Sequence, residues 1–152
     1  MQVSYDSTSE TLEHIRRVQM NMGYVQHKMF ARAMNHDKEK LSPEEKAVFD
    51  EFTPRLKDST YGSEEYKGFL KAMAPALEHH YKHSSHHPEH NENGVSGMTL
   101  LDLFEMFCDW KAATERHANG SLEKSIKINK DRFGMSDQLA AIFENTRKEM
   151  GW

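Results

Sequence analysis

The sequence predicts an all-α protein. Apolar residues recur three and four positions apart, which is the spacing of one helical face, and no segment alternates apolar and polar residues as a half-buried strand would. Serine or threonine precedes several of these segments, where its side chain can cap a helix. A chain of 152 residues has the size of one domain, so we expect one compact domain of about six to seven helices over 1–152.

Capping residues and breaks set the predicted helix boundaries. Gly23 divides the first helical pattern in two. Ser42, Pro43 and Glu45 have the order of a capping box with proline in the first turn, so a short helix is expected to begin there. Pro75 is expected to kink its helix. The predicted helices cover about 7–22, 24–36, 42–52, 63–80, 99–117, 121–133 and 136–150.

Composition and charge exclude several classes of protein. The formal net charge of -4 disfavours duplex DNA and anionic membranes as main partners, since both require a concentrated basic face. Cys108 is the only cysteine, so no intramolecular disulfide can form. No apolar segment approaches the length of a membrane span, and residues 1–10 lack the features of a signal sequence. We expect a soluble cytoplasmic protein, with a small anionic molecule as a candidate ligand.

Six of the ten histidines fall within residues 79–90. Proline lies among them and asparagine and glycine follow them, so 83–97 is predicted to be a loop. Imidazole nitrogen is a common metal ligand, although a solvated loop with incidental metal affinity would have the same composition. His80 is favoured as a ligand because the apolar face of the preceding helix leads to it.

A second group of candidate ligands lies in the first third of the chain. His36 and Asp37 put an imidazole beside a carboxylate that can bridge two ions, and Lys40, one helical turn further on, can meet an anionic oxygen. An adjacent His and Asp is more often a surface pair, but this one ends an apolar helical face. Glu10 and His14 share a face of the first helix and add a carboxylate and an imidazole upstream.

The helix predicted over 99–117 is apolar nearly all round and should be buried. Three carboxylates lie within roughly 60° of one another on it, at about 100° per residue: Asp102, Glu105 and Asp109. Buried carboxylates need partners, which metal ions held by histidines would provide, as would a salt bridge to Arg116 or Arg17. Asp102 lies three residues after Thr99 and is the best placed of the three to cap the helix.

In chain order these residues resemble the pattern of the HD-domain superfamily of metal-dependent phosphohydrolases. That pattern is a histidine, an adjacent His-Asp pair, often further histidines, and a late aspartate. The matching positions here are His14, His36-Asp37 with Lys40, His80, His86-His87 and Asp109. The His-Asp-x-x-Lys form is most similar to variants that hold two metals, as in cyclic-dinucleotide phosphodiesterases. In that branch a glutamate one turn before the first histidine also ligates, which would be Glu10.

The chain departs from that branch at the second histidine group. His86 follows His80 by only six residues, and no Gly-Tyr-Pro follows the double histidine, so specificity for cyclic dinucleotides is not carried over. The short spacing leaves His79, His83 and His90 as alternative ligands. Over nearly its whole length the chain is also similar to a family of small tailed-phage proteins without an assigned activity, in stretches such as 56–58, 61–66, 86–90 and 105–112. A phage protein would act in the host cytoplasm.

The HD-type resemblance implies a set of roles for these residues. His14, His36, Asp37 and Asp109 would hold one metal, and Asp37 would bridge to a second metal held by His80, His86 and His87. One or two divalent ions (Mn, Fe, Co or Zn, with Mg also open) would activate water against a nucleotide or nucleotide-like phosphate ester. Lys40 and Arg116 would neutralise charge on the departing group, and Glu105 could orient a ligating histidine.

Two other functions share this ligand set. Some HD-type proteins are mixed-valent di-iron oxygenases, and ligand lists alone do not separate Fe from Mn or Zn. The third interpretation is a non-enzymatic phage accessory protein, in which the metal only stabilises the fold. The sequence does not determine the oligomeric state.

Overall fold

The computed structural model describes residues 5–60, 63–116 and 119–152. These residues form seven α-helices and no strand, so the predicted all-α class and the number of helices are confirmed. The helices are α1 (Thr8–Asn35), α2 (Lys46–Asp58), α3 (Glu64–Ala72), α4 (Ala74–His83), α5 (Leu100–Thr114), α6 (Leu122–Phe133) and α7 (Asp137–Met150). Short 3-10 segments lie at Lys38–Leu41, Pro88–His90 and Gly94–Gly97.

Contacts group the chain into two units, Met1–His36 and Asp37–Trp152. In the described residues the first unit consists of α1, and the second contains the other six helices. The expectation of one domain over 1–152 therefore stays a prediction. Among the described residues, no helix combines the length and the apolar character that crossing a membrane requires.

α1 is one unbroken helix of 28 residues, so the predicted break at Gly23 is wrong. A glycine inside a helix costs about 1 kcal/mol relative to alanine and does not by itself end the helix. The apolar positions Val18, Met22 and Val25 keep their helical spacing across Gly23. The continuity of this face indicates one helix rather than two.

Hydroxyl caps fix the beginnings of four helices, as the sequence predicted. In each case the side-chain oxygen accepts a hydrogen bond from the backbone N–H three residues later. These caps are Ser63, Thr99, Ser121 and Ser136. At Ser42 the prediction is wrong, because residues 42–45 form a turn and α2 begins only at Lys46.

Proline has a different effect from the one expected in the middle of the chain. The helix predicted over 63–80 is divided at Met73 into α3 and α4, with Pro75 in the first turn of α4. Proline is well tolerated there because its missing N–H has no partner in a first turn. α5 ends at Thr114, earlier than predicted, and His117, where the predicted helix ended, lies outside the described residues.

The core of the second unit lies between α5, α6 and α7. The Phe107 ring stacks on Phe143, with centroids 5.3 Å apart, and on Trp152 at 5.5 Å. The buried apolar side chains of this core are Met106, Phe107, Trp110, Leu122, Ile126, Met135 and Phe143. Burial of α5 on all sides, as predicted, is wrong, since Leu100 is 83% exposed and Phe104 51% exposed. α5 therefore gives one face to the core and leaves its carboxylate face for other contacts.

Gly120, in the connection between α5 and α6, is packed against backbone. A Cβ at this position would lie 1.8 Å from the carbonyl oxygen of Thr114. We expect Gly120→Ala to lower the melting temperature by about 4 °C or more, because relieving such a clash costs about 1–3 kcal/mol. Gly68→Ala is the control, since a Cβ at Gly68 meets nothing within 4 Å and alanine favours the helix. Equal melting temperatures for the two variants would contradict this packing.

Candidate metal centre

Asp37 opens the second unit in an unusual backbone conformation. Its φ is 55°, in the left-handed region, and among the described residues it is the one non-glycine residue with positive φ. Aspartate tolerates this region better than most residues, but it is sparsely populated, and such positions often occur at functional sites. The turn leads directly into the 3-10 segment Lys38–Leu41.

Two imidazoles contact the carboxylate of Asp37, and a third lies beside them. The Oδ1 atom of Asp37 lies 3.3 Å from Nε2 of His80 and 3.5 Å from Nε2 of His86. The Nε2 atom of His87 lies 3.0 Å from Nε2 of His80. One donor atom from each of these four residues lies within 4.8 Å of all the others. We call Asp37, His80, His86 and His87 the donor group.

The spacing of the donor group fits a small divalent ion. Ligands about 2.0–2.1 Å from a tetrahedral ion stand about 3.3 Å from one another. The observed separations of 3.0, 3.3 and 3.5 Å bracket that value. Two imidazole Nε2 atoms 3.0 Å apart would otherwise have to share a proton. The residues present therefore fit a metal ion by donor type and by separation.

Glu45 orients His80 from the side away from Asp37. Its side chain is 0% exposed, and its Oε2 atom lies 3.3 Å from Nδ1 of His80. Its Oε1 atom accepts a hydrogen bond of 2.7 Å from Nδ1 of His79. The hydroxyl of Ser84 is also near, 3.4 Å from Nδ1 of His80. With Nδ1 facing these oxygens, the Nε2 atom of His80 is left for a ligand, as is typical of metal-binding histidines.

Glu105 has the same relation to His86. Its Oε1 atom lies 3.4 Å from Nδ1 of His86, whose Nε2 faces Asp37. The donor group therefore has a carboxylate behind two of its three histidines, one near the beginning of α2 and one on α5. Such contacts set the tautomer of the ring and raise its basicity toward a metal.

Electrostatics keep Asp37 and His87 in the protonation states that a metal requires. Burial opposes ionisation of Asp37, but contacts with His80 and His86 and the charge of Lys40 outweigh it and hold the pKa of Asp37 well below its usual range. Burial, together with the charges of His86 and His80, lowers the pKa of His87 to about 3, and Asp109 partly opposes this shift. At neutral pH the carboxylate is ionised and the His87 ring is neutral.

Lys40 contacts the second oxygen of the same carboxylate. Its Nζ atom donates a 2.5 Å hydrogen bond to Oδ2 of Asp37 and lies 5.2 Å from the centre of the Phe49 ring. Asp37 is 17% exposed and Lys40 30% exposed, so this edge of the donor group is open to solvent. The two oxygens of the Asp37 carboxylate therefore have different neighbours, since Oδ1 faces the imidazoles and Oδ2 is paired with Lys40.

Among the other residues that the HD-type resemblance assigns as ligands, Asp109 has a donor atom within 4.8 Å of one of Asp37, and the remaining ones belong to the unit Met1–His36. Glu10 and His14 lie on α1, in the other unit, where both are exposed and Glu10 accepts a hydrogen bond from Tyr5. His36 ends that unit and directly precedes Asp37. Their assignment as ligands stays a prediction. Asp109 lies on α5, and its charge acts on His87.

The exposed histidines and Arg116 are not part of the donor group. Nδ1 of His83 donates a hydrogen bond to the carbonyl of His79, and Nδ1 of His90 donates one to the carbonyl of Tyr81, each at 2.8 Å. Both rings are exposed and serve the local backbone. Arg116 is exposed beyond the end of α5, two residues after Thr114.

Asp102 has the capping role that the sequence predicted. Its Oδ2 atom accepts hydrogen bonds from the backbone and the hydroxyl of Thr99, at 2.8 and 2.6 Å. Its Oδ1 atom accepts a 2.7 Å hydrogen bond from Ser85, in the histidine loop, and the sequence did not indicate this contact. Asp102 therefore connects the beginning of α5 to the segment that carries His86.

The main residue that sequence reasoning missed is Glu45. It was interpreted as a capping-box glutamate, but it is a buried partner of two histidines. One signal could have found it, because Glu45, Val48, Phe49 and Phe52 have helical spacing and so share a face. A carboxylate on an apolar face needs a buried partner.

Comparison with family models gives this chain its family. Residues 3–149 match the model described as "Family of unknown function (DUF5662)", and the chain belongs to that family. Searches of curated proteins and of solved structures find no match.

The contact of Glu45 with two histidines yields a prediction. Glu45→Gln should weaken metal binding about 10–100-fold, because a neutral amide orients His80 less firmly and makes its ring less basic. Competition with a chelating dye, using Mn, Co and Zn in turn, measures the affinity. Glu44→Gln is the matched control, since the neighbouring Glu44 is exposed. Equal affinities in the two variants would show that Glu45 does not orient a ligand.

The two roles of α5 carboxylates can be separated in the same way. Asp102→Ala should lower the free energy of unfolding by about 1–3 kcal/mol, since it removes a cap and a buried hydrogen bond, but should leave metal affinity nearly unchanged. Glu105→Ala should leave the free energy of unfolding nearly unchanged but weaken metal binding, because His86 loses the carboxylate that orients it. Denaturant titration and dye competition on both variants check this. Loss of metal from the Asp102 variant alone would overturn the assignment.

Proposed function

We propose that this protein is a metal-dependent phosphohydrolase that cleaves a phosphate ester of a nucleotide or nucleotide-like molecule. One divalent ion would be held by the donor group, Asp37, His80, His86 and His87. The observation that carries the proposal is the Asp37 carboxylate, whose Oδ1 atom faces two imidazoles while Oδ2 contacts the cation Lys40. A metal site with an adjacent, partly exposed cation suits an anionic substrate.

The choice of metal follows from the number of donors. Four protein ligands fill the shell of a tetrahedral ion such as zinc, which is the arrangement of a structural site. Manganese, iron or cobalt with six ligands would leave two positions open beside the same four donors. We therefore expect hydrolysis with Mn, Fe or Co. We expect Zn to bind most tightly but to support the least hydrolysis.

A bound divalent ion supplies a nucleophile from water at neutral pH and polarises the phosphoryl group. In hydrolysis the water oxygen forms a bond to phosphorus, the P–O bond to the leaving group breaks, and a proton passes to the departing oxygen. Lys40 would exchange its contact with Asp37 for a phosphoryl oxygen, since its Nζ atom is partly exposed. The Glu45 and Glu105 carboxylates would keep the imidazoles in place.

The sequence resemblance to HD-type phosphohydrolases supports this proposal. That resemblance also assigns ligand roles to His14, His36 and Asp109, and a second ion would need several of them. One donor atom of Asp109 lies within 4.8 Å of one of Asp37, which is where such a second ion would bind. The measured metal stoichiometry distinguishes one ion from two. A cytoplasmic location and a phage setting, both expected from the sequence, remain predictions.

A structural metal is the second candidate. The observation that favours it is that the donor group offers four protein ligands, which is enough to fill the shell of a tetrahedral ion without water. Its ligands join the 3-10 segment after Asp37 to α4 and to the loop before α5, so an ion there would tie these elements together. Such an ion would contribute directly to folding.

The activity test uses untagged protein loaded with Mn, Fe, Co or Zn and a panel of nucleotides, under nitrogen. We expect metal-dependent phosphate release that Asp37→Ala and His80→Ala abolish together with metal binding. Lys40→Ala should keep the metal and lower kcat/KM by about 10²–10³-fold, as loss of a charge-stabilising group does. His90→Ala, which removes an exposed histidine outside the donor group, is the control.

Each alternative has its own outcome in this test. Turnover only with iron and dioxygen would establish an oxygenase. A large fall in melting temperature on metal removal, with no hydrolysis under any metal, would establish a structural ion. Full metal content in both the Asp37 and the His80 variants would contradict the site itself.

A further inference from the structure

α1 has an exposed apolar face. It is the one helix in the described part of the unit Met1–His36. The side chains along this face are between 40% and 61% exposed: Leu12, Ile15, Val18, Met22 and Val25. An isolated helix is marginally stable in water, and most helices are stabilised by packing of an apolar face. A helix of 28 residues with this face therefore requires a partner.

The spacing along this face is that of a coiled coil. Ile15, Val18, Met22, Val25 and Met29 alternate steps of three and four residues, which corresponds to the a and d positions of two heptads. The helix is about 42 Å long at 1.5 Å per residue. This pattern forms a narrow seam, which suits one partner helix running alongside α1.

Charge identifies the partner and its direction. The acidic residues of this segment lie at its beginning, and from 14 to 35 it contains only basic charges. The acidic residues are Asp6, Glu10 and Glu13, and the basic ones are Arg16, Arg17, Lys28 and Arg32. Two parallel copies would set like charges side by side, whereas two antiparallel copies would set each acidic end beside a basic segment. The helix dipoles also favour the antiparallel pair.

We propose that α1 pairs with α1 of a second copy of this chain in an antiparallel coiled coil, with the two-fold axis at the level of Met20, midway between Val18 and Met22. In an antiparallel pair the a positions of one helix pack against the d positions of the other. Met22 then packs against Val18 of the partner subunit, and Ile15 packs against Val25 of the partner subunit. Glu10 comes within one helical turn of Arg32 of the partner subunit. This proposal is independent of the metal centre.

The alternative partner is the second unit of the same chain, and the design of the experiment separates the two. Glu10 and Arg32 lie 22 positions apart on one helix, about 33 Å at 1.5 Å per residue. They cannot contact each other within one copy. If exchanging their charges changes the association of two copies, the two residues must contact each other between copies, as they do in an antiparallel pair.

Light scattering during gel filtration of the full chain should give a dimer mass. Met22→Glu should weaken dimerisation at least 100-fold, because it buries an unpaired charge against the apolar Val18 of the partner subunit in both halves of the seam. Met20→Glu is the control, since Met20 is 68% exposed and lies on the opposite side of α1 from the seam. A monomer at all concentrations, or equal dimerisation of both variants, would overturn the proposal.

Charge exchange tests the direction of the pair. Glu10→Lys and Arg32→Glu should each weaken the dimer about tenfold, and the double variant should recover most of the loss. No recovery would overturn the antiparallel register. In a Cys108→Ser background, Ile15→Cys combined with Val25→Cys should form intersubunit disulfides on oxidation, and neither single cysteine variant should. Because this readout leaves the seam nearly intact, it holds even if Met22→Glu unfolds α1, and cross-linking of the single variants would indicate a parallel pair instead.

Discussion

The carboxylate of Glu45 is shielded from solvent, and the Nδ1 atoms of His79 and His80 face it. A buried carboxylate is tolerated only where polar partners replace water, so these three side chains hold one another in position. The same contact decides which nitrogen of His80 is left for a ligand, and that nitrogen lies against Asp37 and His87. Glu105 acts in the same way on His86 from α5. The geometry of the donor group therefore depends on carboxylates that do not themselves belong to it.

The sequence predicted helix ends correctly where a single side chain caps the helix. The hydroxyl caps at Ser63 and Thr99 satisfy backbone N–H groups that would otherwise lack partners, so sequence alone located those helix ends. The predictions at Gly23 and Ser42 were wrong because each rested on a local preference of only about 1 kcal/mol. At Gly23 the continuous apolar face of α1 has the larger effect, and at Ser42 the burial of Glu45 does. Exposure of Leu100 and Phe104 was not predictable either, since it depends on which faces of α5 meet other helices.

The sequence predicted which residue types form the candidate site better than it predicted which individual residues form it. The density of histidines and the apolar face leading to His80 identified the region, and His80, His86 and His87 do lie together with Asp37. The sequence favoured these three but left His83 and His90 as alternatives, because excluding them depends on which imidazoles bind backbone carbonyls. Glu45 contacts His79, 34 residues away, and Ser85 contacts Asp102, 17 residues away. A local sequence pattern does not predict contacts over such separations. Arg116, chosen for its charge alone, has no such contact with the donor group among those described.

Long-range ¹H–¹⁵N NMR of the imidazole rings, recorded during titration with Zn²⁺, tests the central claim most directly. It reports separately on Nδ1 and Nε2 of each histidine. The account predicts that the Nε2 signals of His80, His86 and His87 move to the region of metal-bound nitrogen at one equivalent, while the Nδ1 atoms of His80 and His86 remain protonated and His83 and His90 do not change. Binding through Nδ1 of His80, or changes confined to His83 and His90, would contradict it.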